Sequence, residues 1–214
     1  CVGLHAKPVE HIRSLIASKR KIIALMRDGD QVVSLAAYLA KIGFGKTKLH
    51  VLEALGGENE KIREVVAENY NLRNVLHPVC VAIVVDGDGS AVPLSNGIDD
   101  NFFANDGQIT KSPIRALTLS ALAPKYGQHL WDLGAGSGSV SIEWLLSDKS
   151  LRATAVEQDS SRCAIIEQNV KDLGLDSLSI LNGSSFELIS TLRPPNAVFI
   201  AVSYTHLTLP TKQD

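Results

Sequence analysis

Between Leu130 and Leu145 the chain reads LWDLGAGSGSVSIEWL: an apolar run, an acid, three glycines at alternate positions, then a helical pattern. The chemistry-bearing residues here are Asp132, Gly134, Ala135, Gly136, Ser137 and Gly138. Glycines so placed let a strand turn tightly into a helix and bring backbone close to a bound nucleoside. A dinucleotide fingerprint would set its last glycine three places after the second, so this loop is not built around a pyrophosphate. Glu157 closes the next apolar run, where an acid some ~20 residues beyond the turn can accept both ribose hydroxyls. A solvated strand-end carboxylate is the other reading of Glu157. Ser184 and Ser185, in Asn182-Gly183-Ser184-Ser185, end a third run, where such folds line a base; small polar residues also simply make turns there.

Other side chains weigh less. Gln108-Ile109-Thr110-Lys111 precedes the helix that covers the glycine loop, and by chemistry alone reads as a cap region with a solvated lysine. His5, His11, His50, His77 and His129 have no metal-ligand spacing, so no metal site is predicted. Cys1, Cys80 and Cys163 are isolated, which predicts reduced thiols with neither disulfides nor zinc. Trp131 and Trp144 flank the loop as core residues. No Ser/His/Asp or Cys/His set points to a hydrolase.

The elements that must hold these residues fall into two α/β units. In residues 1–85, Pro8–Ala17 has helical spacing, Ile22–Met26 reads as a strand, and Val32–Ile42 as a helix ended by Gly43. Leu49–Leu55 and Val79–Val85 are further strands, with a polar helix predicted over Lys61–Glu68. Turn formers crowd residues 86–101, the predicted linker. From 102 onward, Ser112-Pro113 is read as N-cap and first-turn proline of a helix turning Ile114, Leu117, Leu119 and Leu122 inward. Strands and helices then alternate: 129–133, 139–146, 154–157, 162–173, 178–181, 186–192 and 197–200. Such alternation predicts right-handed βαβ units and a parallel sheet.

With 214 residues, 45% hydrophobic and 21% charged, the chain has enough apolar material for a real core. A net charge of −2 gives no electrostatic footprint for nucleic acid or anionic membrane, and neither is expected as a partner. No run approaches the length of a membrane span and no signal peptide is seen, so a cytoplasmic location is expected.

The GxGxG loop with its acid two places earlier resembles the cofactor loop of class I S-adenosylmethionine methyltransferases. A nicotinamide-binding oxidoreductase, another class I methyltransferase acting on RNA or a small molecule, and a non-catalytic cofactor-binding fold stay open on that motif alone. Together with GQITK at 107–111, RALTLSALAP at 115–124 and LWDLGAGSGSVSIEW at 130–144, the layout resembles the precorrin-6Y C(5,15)-methyltransferase (decarboxylating) family of cobalamin biosynthesis. LHAKPVEHIR at 4–13 and VLEALGG at 51–57 look like the second half of that family's tetrapyrrole methylase domain.

The resemblance implies α/β architecture throughout: the C-terminal half of a tetrapyrrole methylase domain (1–85), then the N-terminal portion of a class I Rossmann-like methyltransferase domain (102–201) with a parallel sheet. It implies S-adenosylmethionine as cofactor and a precorrin as substrate, methylated at carbons 5 and 15 and decarboxylated at the ring C acetate. A homo-oligomer is implied for the full-length protein. By match of motif, Gly134–Gly138 would hold the methionine part, Glu157 the ribose, and Ser184 or Ser185 the adenine side, with Thr110 beside the cofactor. Lys111 and Arg115 would be the cations that meet substrate carboxylates and the charge left by decarboxylation.

Against the family pattern, the first domain lacks its glycine-rich first half and the second breaks off after residue 201. The chain, which begins at Cys1, is accordingly expected to be an inactive fragment. Four strands in the spatial order 3-2-1-4 would remain, with an unpaired apolar edge. Val202–Thr211, VSYTHLTLPT, back-translates to a transposon-end sequencing adapter, so 202–214 is expected to be adapter read-through rather than evolved protein.

Overall fold

The computed structural model describes residues 1–201; the tail 202–214, including the adapter expectation, lies outside the described residues. The chain divides into two units, Cys1–Val92 and Pro93 onward. The stretch 86–101 is shared between them. Asp86 N–H and Thr47 Oγ1 exchange bonds, and Arg13 donates to Ser90 O at 2.7 Å in the first unit; Gly97 and Ile98 are held in the second.

The first unit is a mixed five-stranded sheet of β1 (Val2–Gly3), β2 (Lys21–Met26), β3 (Lys48–Glu53), β4 (Lys61–Val66) and β5 (Val79–Val84), in the order β1-β2-β5-β3-β4. Helix α1 (Gly29–Lys41) starts where the Asp28 carboxylate accepts the Gln31 N–H at 2.8 Å. Its buried Val32, Leu35, Ala36 and Leu39 recur at helical spacing and meet Leu49, Val51, Val81 and Ile83 from the sheet. Residues Val9–Leu15 form a 3-10 helix rather than an α-helix. The predicted helix over 61–68 is instead strand β4, antiparallel to β3 from Lys61↔Glu53 to Lys48↔Val66. Its Lys, Arg and Glu are good helix formers, but they are also the residues that keep an edge strand solvated, and pairing with β3 decides.

The second unit follows the predicted alternation: α2 (Ser112–Leu122), β6 (His129–Leu133), α3 (Ser139–Ser147), β7 (Arg152–Glu157), α4 (Ser160–Asp172), β8 (Leu178–Asn182), the short α5 (Ser185–Leu188) and β9 (Ala197–Ile200). All three strand pairings are parallel and the order is β8-β7-β6-β9, the expected 3-2-1-4. Trp144 is fully buried among Leu119, Leu130, Val140 and Leu151, and its indole N–H donates to Arg152 O at 3.0 Å. Trp131 is core as expected. Helix α2 departs from its prediction. Ser112 does not cap it but donates to Gly97 O at 2.7 Å, and Lys111 occupies the N-cap position. Leu119 is buried, whereas Ile114 and Leu117 are 57% and 68% exposed.

Candidate functional site

The order β8-β7-β6-β9 reverses direction between β6 and β9, and in open parallel sheets ligands bind beyond the carboxyl ends of the strands at such a reversal. A cleft of about 370 Å³ lies there, bounded by Gly134–Gly136 after β6 and by Phe199–Ala201 at the end of β9. Gly107–Lys111, with Ile114 and Thr118 of α2 and Arg162 of α4, completes its lining. The cleft lies wholly within the second unit.

Its floor is fixed by backbone bonding. The N–H groups of Gly134 and Ala135 donate to Val156 O at 2.8 and 3.1 Å, tying the loop to the end of β7. Glu157, 5% exposed, accepts from Gly136 N–H at 2.8 Å through one carboxylate oxygen and from Asp159 N–H at 3.0 Å through the other. The acid and the glycine loop are thus bonded to each other. Gly136 and Gly138 have φ of +59° and +74°, a region that side-chain-bearing residues rarely adopt. A Cβ on Gly138 would stand 2.8 Å from Ile166 of α4, and one on Gly136 would stand 3.0 Å from Gln108 O.

Asp132 sits behind this floor rather than on it. It is buried, and one oxygen accepts both the backbone N–H and the hydroxyl of Ser141, at 3.2 and 2.7 Å. The other oxygen is buried without a protein partner among the described residues, as are Ser137 Oγ and Ser185 Oγ. Burial pushes the Asp132 carboxyl up to about 6, against the Ser141 bonds that favour its charged form. Of the residues singled out in the sequence, Thr110, Lys111, Gly134, Ala135 and Gly136 line the cleft, while Asp132, Ser137, Gly138, Glu157, Ser184 and Ser185 are not among its lining residues.

Arg115 corrects the prediction that it meets substrate. It is fully buried, with Nε 2.5 Å from Glu143 Oε1 and both terminal nitrogens at 3.2 Å from Asp100 Oδ1. It also donates to the carbonyls of Thr110 and Ile98, and lies over the Phe103 ring. Glu143 in turn accepts the N–H groups of Gly97 and Ile98 at 2.6 and 3.0 Å. A guanidinium satisfied on every side has no donor left for a ligand; it fixes Thr110 instead. Lys111 is the exposed cation, 3.4 Å from Asp100.

Sequence reasoning missed three residues of this site. Glu143 looks like any acid of an amphipathic helix. Asn169 clasps Ala104 through both its N–H and C=O and donates to Ser137 O at 2.9 Å, bonds that no local spacing announces. Arg162 lies in the first turn of α4, with Nε 2.8 Å from Asp106 Oδ2. Among the described residues no group of acids, histidines or cysteines could hold a metal ion.

Comparison with known proteins adds an independent finding. Residues 101–211 match the family model of the precorrin methyltransferase domain. Over 202 residues the chain is 40% identical to a precorrin-6Y C(5,15)-methyltransferase [decarboxylating] of Sinorhizobium sp, covering 93% of this chain and 49% of that one. A cobalt-precorrin-6B C(15)-methyltransferase (decarboxylating) of Salmonella typhimurium is 38% identical over 100 residues, 47% of this chain and 51% of that one. The crystal structure of a precorrin-6Y C5,15-methyltransferase from Geobacter metallireducens aligns with a TM-score of 0.51 at 34% identity, over 54% of this chain and 62% of that one. The chain spans about half the length of the curated relatives it matches.

Proposed function

The chain belongs to the precorrin methyltransferase family, and from that premise we propose that its second unit binds S-adenosylmethionine on the floor of the cleft and presents it to a precorrin. The observation that carries this reading is the glycine loop bonded to Glu157 at the reversal between β6 and β9. The residues present fit the cofactor. Asp132, Ser137 and Ser185 each keep a buried polar atom without a partner among the described residues, and a Cβ on Gly136 would stand only 3.0 Å from Gln108 O. Gly134–Gly138 and Thr110 would hold the amino-acid end, the free lone pairs of Glu157 the ribose, and Ser184 or Ser185 the adenine side.

When bound, the cofactor supplies a methyl group already activated on a sulfonium. The chain's own residues then have to position and desolvate rather than attack. Apolar Ile114, Phe199 and Ile200 line the wall on which a flat macrocycle would lie. Lys111 would take one of its carboxylates by a charge-assisted bond and offset charge developed on decarboxylation. In the whole protein the second domain would methylate carbon 15 and remove the ring C carboxyl. The first unit, as half of a tetrapyrrole methylase domain, would belong to the part that methylates carbon 5.

Calorimetric titration of the 1–214 chain with S-adenosylhomocysteine tests the reading, with NAD as control. Saturable binding of the homocysteine compound alone is expected, weakened about tenfold or more by Glu157→Ala through loss of the ribose and Gly136 bonds. Equal binding of NAD, or indifference to Glu157→Ala, would overturn it.

A further inference from the structure

Among the described residues that line the cleft the charged ones are Lys111 and Arg162; their acidic partners Asp100 and Asp106 do not line it, and the Glu157 carboxylate reaches it only from behind the glycine loop. The two cations are held differently. Lys111 is a point charge on a side chain that is 66% exposed. Arg162 is only 27% exposed and is gripped by one bond, from Nε to Asp106 Oδ2 at 2.8 Å. That bond leaves both terminal nitrogens of the guanidinium without a protein partner among the described residues. An arginine held through Nε has its remaining pair of parallel N–H groups set in a plane, the arrangement that matches the two oxygens of a carboxylate. The Asp106 carboxylate is itself steadied by Gln108 N–H at 3.0 Å, and the hydrogen bond from Arg162 lowers its pKa.

We propose that Arg162 is a carboxylate receptor of this cleft, binding its ligand through the paired terminal nitrogens, and that Asp106 is the positioning residue that aims it. The inference rests on the function proposed above, which provides two sources of carboxylate: the amino-acid end of the cofactor and the acid side chains of the macrocycle. No bond is made or broken in this role. It sets which ligands are held and in what orientation, and it differs in kind from the role of Lys111, because a planar fork reads two oxygens where an ammonium reads charge.

The test uses the 1–214 chain and three probes: S-adenosylhomocysteine, 5′-methylthioadenosine, which lacks the amino-acid end, and the octacarboxylate uroporphyrin I. Affinities are compared for wild type, Arg162→Met, Arg162→Lys and Asp106→Asn. Weakening of uroporphyrin alone by about tenfold in Arg162→Met assigns the fork to the macrocycle; weakening of S-adenosylhomocysteine alone assigns it to the cofactor. In either case Arg162→Lys should recover little and Asp106→Asn should lose about two- to fivefold. Full recovery by Arg162→Lys, equal weakening of all three probes, or no change in any would overturn the proposal. A wild-type chain that binds S-adenosylhomocysteine, with affinity that Arg162→Met leaves unaltered, and no uroporphyrin also overturns it, while leaving the methyltransferase reading intact. Binding of none of the probes by wild type would sink both.

Discussion

At the scale of single residues, Asp132 shows how burial and function pull against each other. Its carboxyl is pushed up to about 6 from 3.8 because it is buried, with one oxygen unpartnered. Below about pH 4 folded and unfolded chains both carry the proton and the shift has no effect on stability. Between 4 and 6 the unfolded chain releases its proton while the folded one keeps it, so stability falls as pH rises. Above 6 the loss is complete, about 3 kcal/mol. Asp132→Asn should remove this descent: urea unfolding of the two proteins between pH 4 and 8 should show the variant gaining on wild type by 2–3 kcal/mol, in round terms, as pH rises. A constant difference across that range would mean that Asp132 is not desolvated as described. A ligand that gives the free oxygen a cationic or hydrogen-bonding partner would lower the group's pKa and recover part of that stability.

Among elements, the buried Arg115–Glu143 pair has the largest mechanical part. Arg115 of α2 and Glu143 of α3 together hold Gly97, Ile98 and Thr110, so two helices and the segment over the glycine loop share one joint. Glu143→Ala would leave a fully buried guanidinium with Asp100 as its remaining counter-charge among the described residues and should cost about 3–5 kcal/mol, read from the urea midpoint. Lys111→Met, on an exposed cation, should cost under ~0.5 kcal/mol. The contrast also marks what the sequence could show. Strands β6, β7 and β9, the glycine turn and Glu157 were legible because each is written in a few consecutive residues. Lys61–Glu68 reads as a helix because its charged residues suit a helix and an edge strand alike, and only β3, at a distance in sequence, selects the strand over Lys61–Val66. The sequence points Arg115 at the substrate because its type suits an anion; the Glu143 that claims it lies 28 positions on, at no spacing that local periodicity marks. Ile114 and Leu117 fit the apolar period of α2, yet only Leu119 is fully enclosed, and Ile114 lines the cleft.

At the scale of the whole molecule, two units carry separate cores, and every residue lining the cleft belongs to the second. No helix among the described residues is long and apolar enough to cross a membrane. Ligand binding should therefore register locally. With saturating S-adenosylhomocysteine, hydrogen exchange should slow at Gly134–Gly138, at Asp159 and in the 107–111 segment, with β2, β3 and β5 unchanged. Slowing spread evenly over both sheets would argue against a site confined to the second unit. The order β8-β7-β6-β9 also has a consequence in time. As the chain leaves the ribosome, β6 and β7 can pair and α3 and α4 can pack as soon as they appear, since they are successive βαβ units. The floor of the cleft, Gly134–Gly136 with Glu157, is thus complete early. Its far wall is Phe199–Ala201, at the end of a strand that returns past β7 and β8 to lie on the other side of β6, so the half that would receive the cofactor is built before the half that would receive its partner in the reaction.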